Sequence, residues 1–341
     1  MKPTDFSNYL SDFLCQYLPV ECGVSRNTIQ AYSQAFILLL TYMKTEECIK
    51  PERLYMKDIT RQRVADFLAW LEKERNCSVS TRNARLAALH SFFRYIQYRD
   101  IGGIKNWQDI ISIHFKKSVA PEMAYLTIEG IKLLLRQPDL QTVGGRRDFA
   151  LLGLLYDSGA RVQELIDMTP ADLRFEETTT IVLRGKGQKA RVVPLSSKQV
   201  NNLKQYMKEH NLFEVNRNMY PLFPNPQGNK LSRMAVLNII KKHTDTARLK
   251  SPELIPEKIG CHTFRRTKAM HMLEADINLV WIRDFMGHSS TTTTEVYVRA
   301  STKMKMEALQ KLNPNTVINK KTTWQKDGQL MSWLKEMRQK Y

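Results

Sequence analysis

The apolar pattern of this chain changes character near residue 115, and that break divides it into two differently built units. Before the break, aromatic and aliphatic residues recur every three or four positions, the period that lines one face of a helix. Tyr9, Phe13 and Tyr17 form one such stripe, which Pro19 is expected to stop. Ile29, Tyr32, Phe36, Leu39 and Leu40 form a second, with Ser25 and Asn27 as candidate caps. Thr60 is expected to open a third helix carrying Val64, Phe67, Leu68 and Leu71, and Ser80 a fourth whose inner face is Leu86, Leu89, Phe93 and Ile96. Four short helices predict a bundle of about 100 residues, large enough to fold by itself. The stretch Phe115-Lys116-Lys117-Ser118-Val119-Ala120-Pro121 has no period and reads as a polar linker.

Beyond it the pattern is mixed. Thr127 and Glu129-Gly130 begin a helix, and residues 147–156 are a strongly apolar second one. Two β-branched runs, Thr179 to Leu183 and Arg191 to Leu195, flank Arg184-Gly185-Lys186-Gly187-Gln188-Lys189, a hairpin signal. Helices are expected again at residues 232–243, 263–274, 278–286 and 292–299. An amphipathic run of Leu330, Trp333, Leu334 and Met337 closes the chain. The expected organisation is a helical domain over residues 1–115, a linker over 116–123, a mixed α/β domain over 124–312, and a tail over 313–341. The fold class is mainly α with a small β-sheet.

A length of 341 residues suits two domains. Lys and Arg number 52 against 34 Asp and Glu, a formal charge of +18 that suits a polyanion, nucleic acid before an acidic membrane surface. Residues 1–115 hold 15 basic and 12 acidic side chains, so +15 of the excess falls on the remainder. Nothing approaches the roughly 18 apolar residues that span a bilayer, and the N-terminus lacks a signal-peptide apolar core. Five cysteines (Cys15, Cys22, Cys48, Cys77, Cys261) without a CxxC pair read as reduced, mostly buried thiols of a cytosolic protein, with no structural zinc.

Several polar clusters suit a phosphodiester. In SGARVQEL, Gly159 follows an apolar helix and Arg161 starts the next, with Glu164 one turn on, where its carboxylate can orient the guanidinium. An ordinary surface ion pair is the alternative. Lys186 on the hairpin tip can reach a groove and protonate a leaving alkoxide, or serve solubility alone. His262 and Arg265 share a helical face, so that both can meet one phosphate, the arginine by a two-pronged bond. Gly287-His288 follows a helix, and Tyr297 comes nine residues later. In the first part, Arg82 and Arg85 either pin phosphates or lie on a solvated face, and Lys116 and Lys117 can run along a backbone.

Taken in order, SGARVQEL, RGKGQKARVVPL, HTFRRT, MGHSS and TEVYVRAS resemble the tyrosine recombinase (phage integrase) family over about Tyr125 to Leu312. The helical first part also looks like that family's core-binding domain. The resemblance implies that the tail over 313–341 docks its apolar stripe on a neighbouring subunit, the alternative being that it folds back on its own domain. Ser158-Gly159-Ala160 replaces the usual Thr-Gly-Leu-like triplet, Arg266 stands where a His is common, and Phe264 replaces a frequent Leu; none removes a reactive group. The resemblance implies a site-specific DNA recombinase, a two-domain clamp working as a tetramer on two sites with inverted half-sites, alongside accessory DNA-binding proteins. It implies Tyr297 as nucleophile forming a 3′-phosphotyrosine, Arg161 and Arg265 as phosphate clamps, Lys186 as general acid, and His262 and His288 as proton-transfer and phosphate-bonding groups, with Glu164 in support. Mobile-element integration, excision or transposition is the expected role, in the prokaryotic cytosol at the nucleoid. Xer-type dimer resolution is the alternative, and a non-catalytic DNA-binding protein the alternative of another class. The chemistry agrees. A phenol titrates near pH 10 and needs cationic neighbours to attack at neutral pH, and fixed guanidiniums stabilise a phosphorane. Phosphate esters are exchanged, so neither ATP nor a metal or other cofactor is expected.

Overall fold

The computed structural model describes residues 3–118, 123–185, 190–288, 290, 292–300 and 330–340. The chain is mainly helical with one small antiparallel sheet, and it packs as two compact units, Met1–Pro121 and Glu122–Tyr341.

The first unit is built from α1 (Asp5–Asp12), a π-helical segment (Phe13–Glu21), α2 (Arg26–Thr45), α3 (Arg61–Lys73), α4 (Val79–Ile96) and α5 (Ile104–Ile111). Hydroxyls start α1 to α4: Thr4, Ser25, Thr60 and Ser78 each accept a bond from a backbone N–H in the first turn. The fourth helix therefore starts two residues before the expected Ser80, because it is the Ser78 hydroxyl that accepts from the Thr81 N–H. Pro19 does not stop its helix. The chain widens to π winding, with the Cys22 N–H bonded to the Tyr17 carbonyl five residues back at 2.9 Å, a ladder that differs from the one a proline ring obstructs in an α-helix.

Phe13 anchors the core, its ring 5.3 to 6.3 Å from those of Phe36, Phe92 and Tyr95. Burying one such side chain contributes about 2–3 kcal/mol. The expected inner residues of α3 and α4 are all buried. Helix α5 was not foreseen; it lays Trp107 and Ile110 on that core, the indole ring stacked 5.4 Å from Phe93. The thiols are a correction. Cys15, Cys22 and Cys48 are exposed and Cys77 and Cys261 half-buried, since the apolar stripes are completed by larger side chains.

The second unit runs α6 (Ile128–Leu135), α7 (Val143–Ser158), α8 (Val162–Asp167), β1 (Leu173–Arg174), β2 (Thr180–Arg184), β3 (Ala190–Pro194), α9 (Ser197–Glu209), α10 (Arg233–Lys250), α11 (Cys261–Glu274), α12 (Leu279–Met286) and α13 (Thr292–Ala300). Helix α7 buries Ala150, Leu151, Leu152, Leu154 and Leu155, leaving it almost no polar face, as expected of a helix at the middle of a domain. The sheet order is β1-β2-β3, with Ile181 opposite Val193 and Leu183 opposite Arg191. Residues paired in this way point to one face, so Arg191 shares the buried face of the hairpin with Leu183. A last helix, α14 (Leu330–Lys340), carries the expected amphipathic run. The hairpin tip with Lys186 and most of the tail, residues 313–329, lie outside the described residues. Among the described residues no helix is long and apolar enough to cross a membrane.

Candidate active site

Helices α7 and α12 both end on a glycine in the left-handed region, Gly159 at φ +58° and Gly287 at φ +62°. Such a residue turns the chain away and leaves the last carbonyls of the helix, its negative end, open to donors. On α12 three successive carbonyls each accept from a different arginine. Phe285 accepts from Arg191 Nε at 2.9 Å, Met286 from Arg265 Nη2, and Gly287 from Arg161 Nη2 at 3.1 Å. Arg265 also donates through Nη1 to the Gly159 carbonyl at 2.7 Å, which ties the two helix ends together.

Glu164 offsets the repulsion within this cluster. Arg161 precedes α8, and its backbone N–H and its Nη1 both donate to the Glu164 carboxylate at 2.8 Å. Arg191 adds a two-pronged contact, Nη1 to Oε1 at 2.9 Å and Nη2 to Oε2 at 2.8 Å. Burial alone would raise this carboxyl, but the Arg191 fork and then the Arg161 contacts outweigh it and hold it at about 2. A folded value below the unfolded one stabilises the native state above the ordinary carboxylate range, and that stability is lost as pH falls through about 2. Glu164→Gln should therefore flatten the acid limb of the stability profile between about pH 4.5 and pH 2 in denaturant titrations. An unchanged limb would mean that this carboxylate is not held as described.

Arg265 is 4% exposed; burial, with repulsion from Arg161 and Arg191, lowers its guanidinium to about 10, so it stays charged at neutral pH. His288 bonds Thr294 Oγ1 through Nδ1 at 3.0 Å and is pushed down to about 4, first by burial and then by Arg265, Arg161 and Arg191. His262, on the first turn of α11, is also lowered, by desolvation and then by Arg266, Arg265 and Arg161. Both shifts favour the neutral imidazole, which can donate one hydrogen bond and accept another.

Tyr297 projects from α13 into a small core of Ala269, Met270, Leu273, Ile282 and Met286, its ring 6.2 Å from that of His288 and nearly parallel. The cations expected beside it are present, and Arg265, Arg266 and Arg161 all pull its hydroxyl down. Burial nonetheless outweighs them and raises the phenol, a contribution that residue order gives no means of weighing. An uncharged histidine close to a protonated phenol is a pair of groups able to exchange a proton with a bound substrate.

Arg161, Glu164, His262, Arg265, His288 and Tyr297 therefore form one cluster, while Lys186 lies outside the described residues. Arg191 and Thr294 were missed. For Arg191 a signal existed, because Arg191, Val193 and Leu195 alternate on the inward face of the β-run; for Thr294 nothing in Thr291-Thr292-Thr293-Thr294 singled out one residue.

In the first unit Arg82 lies neither on a solvated face nor free for a phosphate. It is buried, and its Nη1 donates to the His114 carbonyl at 3.3 Å and to Asn83 Oδ1 at 3.0 Å. Half-buried Arg85 donates to the Ala31 carbonyl. Lys116, placed in the expected linker, is exposed but held on this unit by an ion pair with Glu72 at 2.6 Å and by backbone bonds to Asn83; Lys117 is exposed as well.

Residues 125–304 match the Phage integrase family, and residues 11–99 match its N-terminal SAM-like domain. An integrase/recombinase-type protein of Sinorhizobium fredii, y4rC, is 30% identical over 98% of this chain and 99% of its own length. The tyrosine recombinase XerD of Listeria innocua is 30% identical over 89% of this chain and 98% of its own. Among solved structures, the Tn1549 transposon integrase bound to transposon end DNA is similar in fold, with a TM-score of 0.68 and 17% identity over 90% of this chain and 99% of that one.

Proposed function

Because this chain belongs to the phage integrase family and is a tyrosine site-specific recombinase, we propose that it integrates, excises or transposes a mobile element. The observation that supports the mechanism is the tethering of Arg161 and Arg265 to successive carbonyls at the end of α12, near enough to Tyr297 for both to draw its hydroxyl down. In this reading duplex DNA lays one phosphodiester over the cluster. The Tyr297 oxygen attacks phosphorus, the bond to the 5′-oxygen breaks, and the strand is held as a 3′-phosphotyrosyl ester. Arg161 and Arg265 stabilise the extra charge on the non-bridging oxygens. His262 and His288 hydrogen-bond the phosphate and relay protons, and Lys186 protonates the departing 5′-oxygen. A 5′-hydroxyl from the partner strand then attacks the ester and frees Tyr297. One ester replaces another at each step, so no energy-rich cofactor is needed. A tetramer on two sites supplies the partner strand, and Lys117, an exposed linker cation, follows the DNA backbone in this reading.

Dimer resolution is the second reading, favoured by the likeness to XerD along 89% of the chain. DNA flanking the gene separates the two: element ends support mobility, and a lone pair of inverted half-sites supports resolution. The catalytic reading itself is tested with a nicked suicide duplex carrying the protein's own site. An SDS-resistant protein–DNA adduct is expected in the presence of EDTA. No adduct on that site would leave DNA occupancy without catalysis as the function.

A further inference from the structure

We propose that Arg191 is a positioning residue that preserves the positive charge of Arg161 toward the scissile phosphate by sharing the Glu164 carboxylate. The proposal rests on the recombinase reading and adds a residue to it. Glu164 is needed to orient Arg161, since it accepts both the backbone N–H and Nη1 of that residue at 2.8 Å. A carboxylate so close also cancels the field that Arg161 presents to a phosphate. A unit charge at 4 Å is worth about 4 kcal/mol at an effective dielectric constant of about 20. An isolated Arg161–Glu164 pair would therefore be well oriented and electrically weak.

Arg191 removes that conflict. Its two terminal nitrogens each take one carboxylate oxygen, at 2.9 and 2.8 Å, which turns a neutral pair into a trio of net charge +1. The trio's charge is open at the Arg161 end. The Arg161 side chain is 37% exposed, against 11% for Arg191 and 3% for Glu164. Arg191 is turned to Glu164 and the Phe285 carbonyl, which take three of its five N–H donors and leave it as a support within the protein. Its Nε holds the Phe285 carbonyl, two residues before the Gly287 carbonyl that receives Arg161. Backbone and arginine are tightly apposed there, since a Cβ at Gly287 would fall 2.9 Å from Arg191 Cδ.

The test is single-turnover adduct formation on the nicked duplex, compared at equal DNA occupancy. Arg191→Met should slow the step about 100-fold, the scale of losing one electrostatic contact to the transition state, with DNA affinity little changed. Adding Glu164→Gln to Arg191→Met should restore the rate to within about tenfold of wild type, because the uncompensated carboxylate is gone. The rate of Arg191→Met relative to wild type should also rise as pH falls and Glu164 takes up a proton, a change that a purely structural role would not produce. Arg191→Gln, which keeps a donor for Glu164 without the charge, should show the same slow step and supplies the comparison if Arg191→Met does not fold. A double variant as slow as the single one, or a single variant at wild-type rate while wild type forms adduct, overturns the role of Arg191 alone. A wild type that forms no adduct overturns the recombinase reading and this role with it.

Discussion

Tyr297→Phe should reduce covalent adduct formation by about 10⁴-fold or more while leaving DNA binding and unfolding close to wild type. Removing the nucleophile of a group that acts as a unit costs most of its catalysis. The structure explains why the fold should tolerate the change. The ring, not the hydroxyl, fills the small core of Ala269, Met270, Leu273, Ile282 and Met286 and lies beside the His288 imidazole. Phenylalanine keeps that packing and does not carry the desolvation that raises the tyrosine hydroxyl. The comparison is an SDS gel of the nicked duplex beside a gel-shift titration of the same DNA. Adduct persisting in Tyr297→Phe would assign the nucleophile to another residue.

The second large effect is expected at Arg265. Arg265→Met keeps most of the buried volume and removes the donors to the Gly159 and Met286 carbonyls, which joined the ends of α7 and α12. Two buried acceptors losing their partners cost about 2–4 kcal/mol together. The missing guanidinium should slow adduct formation about 10³-fold, because the arginine opposes developing charge and also draws the Tyr297 hydroxyl down. Denaturant midpoints and single-turnover rates separate the two consequences. A variant with lowered stability but wild-type cleavage would make Arg265 a structural strut and nothing more.

Both predictions concern residues that short sequence words reveal, and the reason is physical. Arg161 with Glu164, and His262 with Arg265, sit three residues apart at helix starts, so local geometry alone places each pair on one face. The caps at Thr60 and Thr127, the glycine after α7 and the hairpin strands are equally local and equally legible. Pro19 misleads because a proline's effect depends on which winding the surrounding core accepts, and packing around Phe13 accommodates a π segment. Helix α5 escapes notice because Ile104, Trp107 and Ile110 make too short a stripe until α4 supplies the surface they cover.

The sequence by itself determined the inventory: two units, a basic second one, and a set of cationic, imidazole and phenolic groups in fixed order. Only the tertiary structure decided their electrostatics. Arg191 reaches Glu164 across 27 residues and the Phe285 carbonyl across 94, and Arg265 reaches Gly159 across 106. Burial, which no spacing rule reports, sets the sign of the Tyr297 shift and keeps His288 neutral. Chain order specifies which groups are present, whereas their charge and reactivity follow from the neighbours and the solvent exclusion that folding brings.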